Sequence, residues 1–182
     1  RVLMPPGEHP DKSLSCIFRA PAGTGLESGN DLNLDEDTVY LAESIPLVDA
    51  GFVVVEYSHD GEEPATSGID LGASRRAYLQ FRAACAGMIN VRNGMEFAIQ
   101  RIPSVNPHST FVSGHSSAGT VALLAAAHDL RLRGAIAFAP VADVAKSNYS
   151  HIFHDASFKP AAHSFRVKSS PLTHVARIQV PV

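Results

Sequence analysis

The stretch 110–124 constrains the fold of this chain more than any other part of the sequence. It reads as a short apolar strand, an abrupt turn of small residues and a helix rich in alanine and leucine. A serine on such a turn is held out at the end of a sheet, and the tight bend requires small neighbours. Gly114 and Ala118, two positions before and after Ser116, meet that requirement. Ser116 is therefore the candidate nucleophile, and the backbone N–H of Ser117 at the start of the helix is a candidate donor to an oxyanion.

The string Gly-x-Ser-x-Ala around Ser116 has a second interpretation. An ordinary strand–helix turn whose serines cap the helix would carry the same letters. The strand before the turn and the helix after it favour the catalytic interpretation, because that is the context in which a nucleophilic serine is presented.

Strands and helices alternate along the rest of the chain. Apolar runs at 14–19 and 134–139 predict buried strands, and the β-branched run at 52–57 predicts a strand that is covered on both faces. Helical spacing occupies 41–48, interrupted at Pro46, and 70–101, with a possible break at Gly94 and an apolar stripe of Tyr78, Phe81, Cys85, Met88 and Ile89. This alternation predicts an α/β fold with a mainly parallel sheet.

Three loops are expected to meet near Ser116. In a parallel sheet the functional site lies outside the carboxyl ends of the strands. The loops 20–25 and 58–61 follow predicted strands, and Ser116 follows its own strand. The sequence therefore predicts one site where these three segments converge.

Length and composition exclude several classes of protein. The 182 residues suggest a single domain, and 45% hydrophobic with 18% charged residues is typical of a globular chain with a core. The net charge of -3 gives no reason to expect nucleic acid or an anionic membrane as a partner. The two cysteines, Cys16 and Cys85, are too few for a disulfide framework and are expected in the core. No apolar run approaches a membrane span. The sequence that begins at Arg1 shows no basic-then-apolar leader, but a signal peptide could have preceded it, so the compartment stays open, as does the oligomeric state.

The order of these pieces resembles the α/β-hydrolase fold, and more narrowly the branch that contains dienelactone hydrolase and the catalytic domain of prolyl oligopeptidase. Residues 114–119 are similar to that fold's nucleophile elbow, and residues 20–25 are similar to the oxyanion loop that follows its third strand. Residues 51–58 resemble the fourth strand, and residues 170–182 resemble the segment that leads into the seventh strand. The resemblance implies a serine hydrolase that cleaves an ester or peptide-like acyl bond through an acyl-enzyme on Ser116. It implies a small-molecule ester or peptide as substrate, and neither a metal nor an organic cofactor.

The departures from the family pattern set further expectations. In the family the acid follows the seventh strand and the base histidine follows the eighth, whereas this chain stops at Val182. We therefore expect residues 1–182 to form one partial domain, with base and acid beyond its C-terminal end and little activity in this piece alone. Pro21 has no N–H to donate, so Ala22 or Gly23 is expected to supply the second oxyanion donor.

Internal partners for Ser116 are weaker candidates. His115 is expected to point away from Ser116, and His59 is expected to be a solvated loop residue. Asp143 follows the sixth strand of the family's order and is a possible acid, although an Asp there can equally cap the next helix. The pair His151 and His154 lacks further ligands for a metal. The alternative to an enzyme is a non-catalytic binding module that keeps the sheet and lacks the triad.

Overall fold

A computed structural model describes residues 1–24, 26–32, 38–63, 70–147 and 159–182. The strands within these ranges belong to one sheet with the order β1-β3-β2-β4-β5. They are β1 (Val2–Leu3), β2 (Leu14–Arg19), β3 (Val53–Glu56), β4 (Val105–His115) and β5 (Leu132–Phe138).

The sheet is parallel except at one edge. Strand β2 pairs in parallel with β3 on one side and with β4 on the other, and β4 pairs in parallel with β5. Strand β1 is antiparallel to β3. The carboxyl ends of the four parallel strands therefore lie along one edge of the sheet, as the sequence predicted.

Helices and short 3-10 segments connect the strands. The helix α4 (Ser116–His128) is buried along 117–127 because it is apolar around its whole circumference. The helix α2 (Leu71–Ala83) begins after Asp70, whose carboxylate accepts hydrogen bonds from the amides of Gly72 and Ala73. The bounds are α1 (Thr38–Asp49), α2 (Leu71–Ala83), α3 (Met88–Arg101), α4 (Ser116–His128) and α5 (Lys159–Lys168), with 3-10 turns at Val144–Lys146 and Pro171–Arg177.

The core lies between the sheet and the helices α2 to α5. All four residues of β3 are buried, and successive side chains of a strand point to opposite faces, so this strand is covered on both faces as predicted. Among the helices of the described residues, none combines the length and the apolarity needed to cross a membrane. The largest fully buried side chains include Tyr78, Phe18, Ile17, Met95 and Leu132.

Two predicted helix breaks are wrong. The helix α1 continues through Pro46, whose carbonyl still accepts a hydrogen bond from the amide of Ala50 at 3.1 Å. Gly94 lies inside α3, beside the rings of Tyr57 and Phe18, and the helix continues through it despite the low helix propensity of glycine. The real break lies between α2 and α3, at 84–87.

The break between α2 and α3 has an unusual backbone. Cys85, Ala86 and Gly87 all have positive φ angles, at 53°, 57° and 82°. The turn rotates Cys85 and Ile89 off the buried stripe, so both are exposed and their predicted core positions are wrong. Cys16 is buried, as predicted.

The strand ends and the C-terminal third also differ from the sequence interpretation. The strand β4 begins at Val105, so 105–109, predicted as a turn, extends that strand. The helix α5 was not predicted. The segment 178–182 was predicted to start a strand, but it has no strand assignment and contacts β5 through one hydrogen bond, from the Ala135 amide to the Pro181 carbonyl at 3.0 Å.

Candidate active site

Ser116 sits on a strained bend between β4 and α4. Its φ angle is 52°, in the left-handed region that non-glycine residues rarely adopt. A Cβ at Gly114 would lie 2.3 Å from the carbonyl carbon of Ala118, so only glycine fits there. The side chain of Ser116 is half-buried, which leaves its hydroxyl accessible. The bend therefore has the geometry that the small residues around Ser116 predicted.

The hydroxyl of Ser117 holds the loop that follows β2. Its Oγ accepts hydrogen bonds from the amides of Gly23 at 3.1 Å and Thr24 at 3.3 Å. Asn30 fixes the same loop from the other side, because its side-chain amide donates to the carbonyl of Ala22 at 2.6 Å. The predicted oxyanion loop thus lies beside the helix start, and the Gly23 amide is directed at the Ser117 side chain. Sequence reasoning missed this role of the Ser117 hydroxyl.

Small side chains let the loop and the helix approach each other. Ala20, Ala22 and Ala118 form a buried apolar cluster, with Tyr57 packed against it. The methyl group of Ala118 is therefore accommodated by the alanines opposite it. The N–H of Ser117 is one of the amides at the start of α4 that have no acceptor within the helix.

The loop after β5 is tied to the bend through Thr120. The Thr120 hydroxyl accepts from the amide of Val141 at 2.9 Å and lies 3.3 Å from the carbonyl of Ser116. This contact brings 139–141 to the same end of the sheet. The three loops predicted to converge are thereby joined by a fourth.

A cavity of about 630 Å³ lies among these loops, and we call it the serine cavity. Its volume falls within the range of about 300–1,000 Å³ that is usual for small-molecule sites. Its lining residues come from the loops after β2, β3 and β5 and from the start of α4: Gly23, Thr24, Leu26, Glu27, Ser28, Gly29, Asn30, Glu62, Glu63, Ser116, Ser117, Ala139 and Val141.

The charged side chains that line the serine cavity are all carboxylates among the described residues. Glu27 is buried and pairs with Arg166 at 3.6 Å, whereas Glu62 and Glu63 are exposed. Gly29 pairs with Glu62 in an isolated parallel bridge, which brings the two distant segments together. These glutamates were not predicted as site residues, and their only signal in the sequence was the acidic character of the two loops that contain them.

His59 is not the solvated loop residue that the sequence predicted. Its side chain is 4% exposed and its ring packs against Tyr57 at 5.4 Å and Phe81 at 6.2 Å. Burial lowers the pKa of His59 to about 4, with the charge of Asp60 acting weakly in the opposite direction. His59 does not line the serine cavity.

The remaining candidate partners lie elsewhere. His115 is exposed, contacts the ring of Phe138 at 5.5 Å and does not line the serine cavity. The carboxylate of Asp143 accepts from the amide of Lys146 at 3.3 Å and pairs with its ammonium group at 3.1 Å, so it caps a 3-10 turn. His151 and His154 lie outside the described residues. Within the described ranges, no group of three His, Cys, Asp or Glu side chains is arranged to hold a metal ion.

The mainly parallel sheet, its flanking helices and the strand–bend–helix at Ser116 together define an α/β-hydrolase-like fold. The fold class predicted from the sequence is therefore confirmed.

Solved structures show the same fold, although the sequence matches no protein-family model and no curated protein. An acetyl xylan esterase from a Paenibacillus species has a TM-score of 0.66 at 19% identity, over 98% of this chain and 60% of its own. Dipeptidyl peptidase 4 from Porphyromonas gingivalis has a TM-score of 0.64 at 18% identity, and the match covers 98% of this chain and 24% of that protein. Acetyl xylan esterase 1 from a Thermoanaerobacterium species has a TM-score of 0.53 at 18% identity, and the match covers 97% of this chain and 56% of that protein. The chain thus spans at most 60% of each of these three.

Proposed function

We propose that this chain carries the nucleophile of a serine hydrolase that cleaves an ester or peptide-like acyl bond. The observation that carries the proposal is Ser116, held at a φ of 52° on a bend that lines a cavity of about 630 Å³. Such strain persists only where the surrounding structure enforces it, and it is concentrated at functional sites. The similar solved proteins include two acetyl xylan esterases and a peptidase, which supports acyl transfer as the reaction class.

In the proposed reaction the Ser116 hydroxyl oxygen attacks the acyl carbon while a general base takes its proton. The Ser117 N–H and a second donor, Ala22 or Gly23, stabilise the negative charge on the former carbonyl oxygen. Of the two, the Ala22 N–H is favoured, because the Gly23 amide already donates to the Ser117 hydroxyl. The carbonyl re-forms as the alcohol or amine leaves with that proton, which yields an acyl-enzyme on Ser116. Water then attacks the acyl carbon and releases the acid. No metal or organic cofactor takes part.

The general base and its acid are proposed to lie beyond residue 182. None of the described histidines lines the serine cavity, and a serine hydroxyl without a base is a poor nucleophile. Asp143 remains a less favoured acid, because its carboxylate already caps a turn. Without the base, turnover falls by roughly 10⁶, so residues 1–182 alone should hydrolyse p-nitrophenyl acetate at close to background rate.

The wall of the serine cavity indicates which acyl substrates fit. The exposed carboxylates of Glu62 and Glu63 line it, so an anionic substrate would meet repulsion there. We therefore expect neutral or cationic esters to be hydrolysed with a higher kcat/KM than anionic esters of equal size.

A fluorophosphonate probe on the full-length protein tests the proposal. We expect one modified peptide that contains Ser116 and no labelling of Ser116→Ala, whereas Ser28→Ala, in the same cavity, should label normally. Labelling at another residue, or equal labelling of Ser116→Ala, contradicts the assignment. Full turnover by residues 1–182 that requires Ser116 would place the base inside this chain and overturn that part of the proposal.

One observation favours a second candidate function, a non-catalytic binding module. No hydrogen bond joins the Ser116 hydroxyl to a histidine among the described residues, and a module that had lost its triad would have the same arrangement. The two candidates differ in the probe experiment, because the module would bind a ligand in the serine cavity and remain unlabelled.

A further inference from the structure

A second cavity, of about 590 Å³, lies among the helices and shares no lining residue with the serine cavity. It is bounded by the α2–α3 break, the second half of α4 and the helix α5, with the 3-10 segment Pro171–Arg177 at one end. We call it the helical cavity. Its size is that of an ordinary small-molecule site.

The floor of the helical cavity is apolar. Ala86, Met88, Leu124 and Phe165 line it, and each is less than a tenth exposed. These side chains belong to the main hydrophobic core, so the floor is a rigid part of the fold. A ligand that covered it would remove apolar surface from water, so its affinity should rise with each methylene that it buries.

The rim of the helical cavity is cationic. Arg82, Arg92 and Lys168 line it with exposed side chains, and among the described lining residues there is no aspartate or glutamate. Of the three, Arg92 also forms a longer ion pair with Asp129 at 3.6 Å, although that carboxylate binds Arg131 more closely, at 2.7 Å. A rim of one sign is notable in a chain whose net charge is -3.

Two histidines, His128 and His174, lie at the same rim. The rings of His128 and His174 lie edge to face, with centroids 4.5 Å apart. The pKa of His128 is lowered by burial first, and then by the positive charges of His174, Arg177 and Arg92. Only the smaller, charge-derived part of this shift reflects the cationic rim, because burial disfavours a charge of either sign.

We propose that the helical cavity binds one small amphiphilic anion, a carboxylate with an unbranched alkyl tail. The headgroup contacts the guanidinium and ammonium groups of the rim, and the tail covers Met88, Leu124 and Phe165 on the floor. An organic cation would meet repulsion at the rim, and a short anion such as acetate would leave the apolar floor exposed to water. The inference does not depend on Ser116 being catalytic.

Binding of monomeric dodecanoate to the full chain, followed by calorimetry and by NMR, tests the proposal. We expect one site per chain, an affinity at least about tenfold above that of acetate because of the buried methylenes, and no saturable binding of dodecyltrimethylammonium. The ring signals of His128 and His174 should shift, and the amides of Ser28 and Gly29 in the serine cavity should not.

Variants locate the site. The double variant Arg82→Gln/Lys168→Gln should weaken dodecanoate binding by roughly fivefold or more, since two partly exposed ion pairs are lost. Arg101→Gln, an exposed arginine outside the cavity, is the matched control and should bind normally. Ser164→Trp places a bulky side chain at the exposed rim and should abolish binding while leaving the rim charges in place.

Several outcomes overturn the proposal. They are equal binding of the cationic amphiphile, an unchanged affinity in the double variant, and shifts confined to the serine cavity. Vesicles containing phosphatidylserine distinguish a free anion from a lipid surface, because binding to vesicles without binding to monomeric dodecanoate would replace a single-molecule site with a membrane surface.

Discussion

At the scale of single residues, Ser117 does more than follow the nucleophile. Its hydroxyl accepts the amides of Gly23 and Thr24, so it holds the loop that is proposed to supply an oxyanion donor. In Ser117→Ala both amides lose their acceptor, and we expect the rate of fluorophosphonate labelling of Ser116 to fall by about tenfold to a hundredfold. A directly contacting donor is worth about 10²–10³, and a positioning contact less.

The control for Ser117 is Ser28→Ala, which removes another buried hydroxyl from the same cavity. It should label at the normal rate. If Ser117→Ala also labels normally while its melting temperature is unchanged, the loop does not depend on that hydroxyl and the positioning role is wrong.

His59 gives the fold a pH dependence at the same scale. Burial lowers its folded pKa to about 4, and its Nε2 has no hydrogen-bond partner in the described structure. The unfolded state therefore binds more protons between pH 6.5 and 4, so this part of the free energy of unfolding is present above pH 6.5 and is lost as the pH falls. Integration of that difference predicts a loss of about 2 kcal/mol between pH 7 and 5.

Urea unfolding at the two pH values measures this loss. His59→Gln should show a smaller loss than the parent chain by about that amount. His163→Gln, an exposed histidine of α5, should show the same loss as the parent. Equal pH dependence in all three proteins would mean that His59 does not stay neutral on folding.

At the scale of elements, a buried polar network joins β2, β3 and α1. Glu56 at the end of β3 accepts the hydroxyl of Ser44 at 2.6 Å and pairs with Arg1, and Ser44 in turn accepts from Arg19 at 3.0 Å. Glu56→Ala would leave the largely buried Arg1 guanidinium without this carboxylate and the Ser44 hydroxyl without its acceptor, whereas Arg19 keeps its ion pair with Glu43 at 2.6 Å. The free energy of unfolding should therefore fall by about 3–5 kcal/mol, the cost of removing one partner of a buried pair.

Denaturant unfolding with a matched exposed pair tests the network. Glu96 pairs with Arg131 at the surface, with both side chains more than a third exposed, so Glu96→Ala should cost less than about 1 kcal/mol. A loss of similar size in both variants would show that the network at the ends of β2 and β3 is as weakly coupled as a surface pair.

At the scale of the whole molecule, the sequence predicted those features of the fold that are determined by residues adjacent in the chain. The strand 14–19 matches β2 residue for residue, because an apolar run bounded by turns suffices to specify it. The bend at Ser116 was predictable because its small residues are adjacent in sequence. The helix α5 was not, since the burial of Ala162 and Phe165 depends on packing against elements distant in sequence.

The site was predictable only in part for the same reason. Glu27 and Glu62 are far apart in sequence and meet through the bridge at Gly29. The burial of His59 depends on Gly87, whose absent side chain leaves room for that ring: a Cβ there would lie 2.8 Å from it. Contacts of this kind arise from the tertiary packing, and the periodicity of a single sequence does not predict them.

The edge of the sheet leads to a last prediction. Strand β5 lies at one end of the strand order, and Ile136 and Phe138 on it are 54% and 70% exposed. One hydrogen bond, from the Ala135 amide to the Pro181 carbonyl, partly covers this edge. Apolar edges that are largely unpaired promote pairing between chains, so residues 1–182 should associate as concentration rises in sedimentation velocity. Phe138→Lys should reduce this association, whereas Leu130→Lys, at a residue 81% exposed that lies outside the strand, should not. A monodisperse parent chain, or an equal effect of both variants, would show that β5 does not drive association.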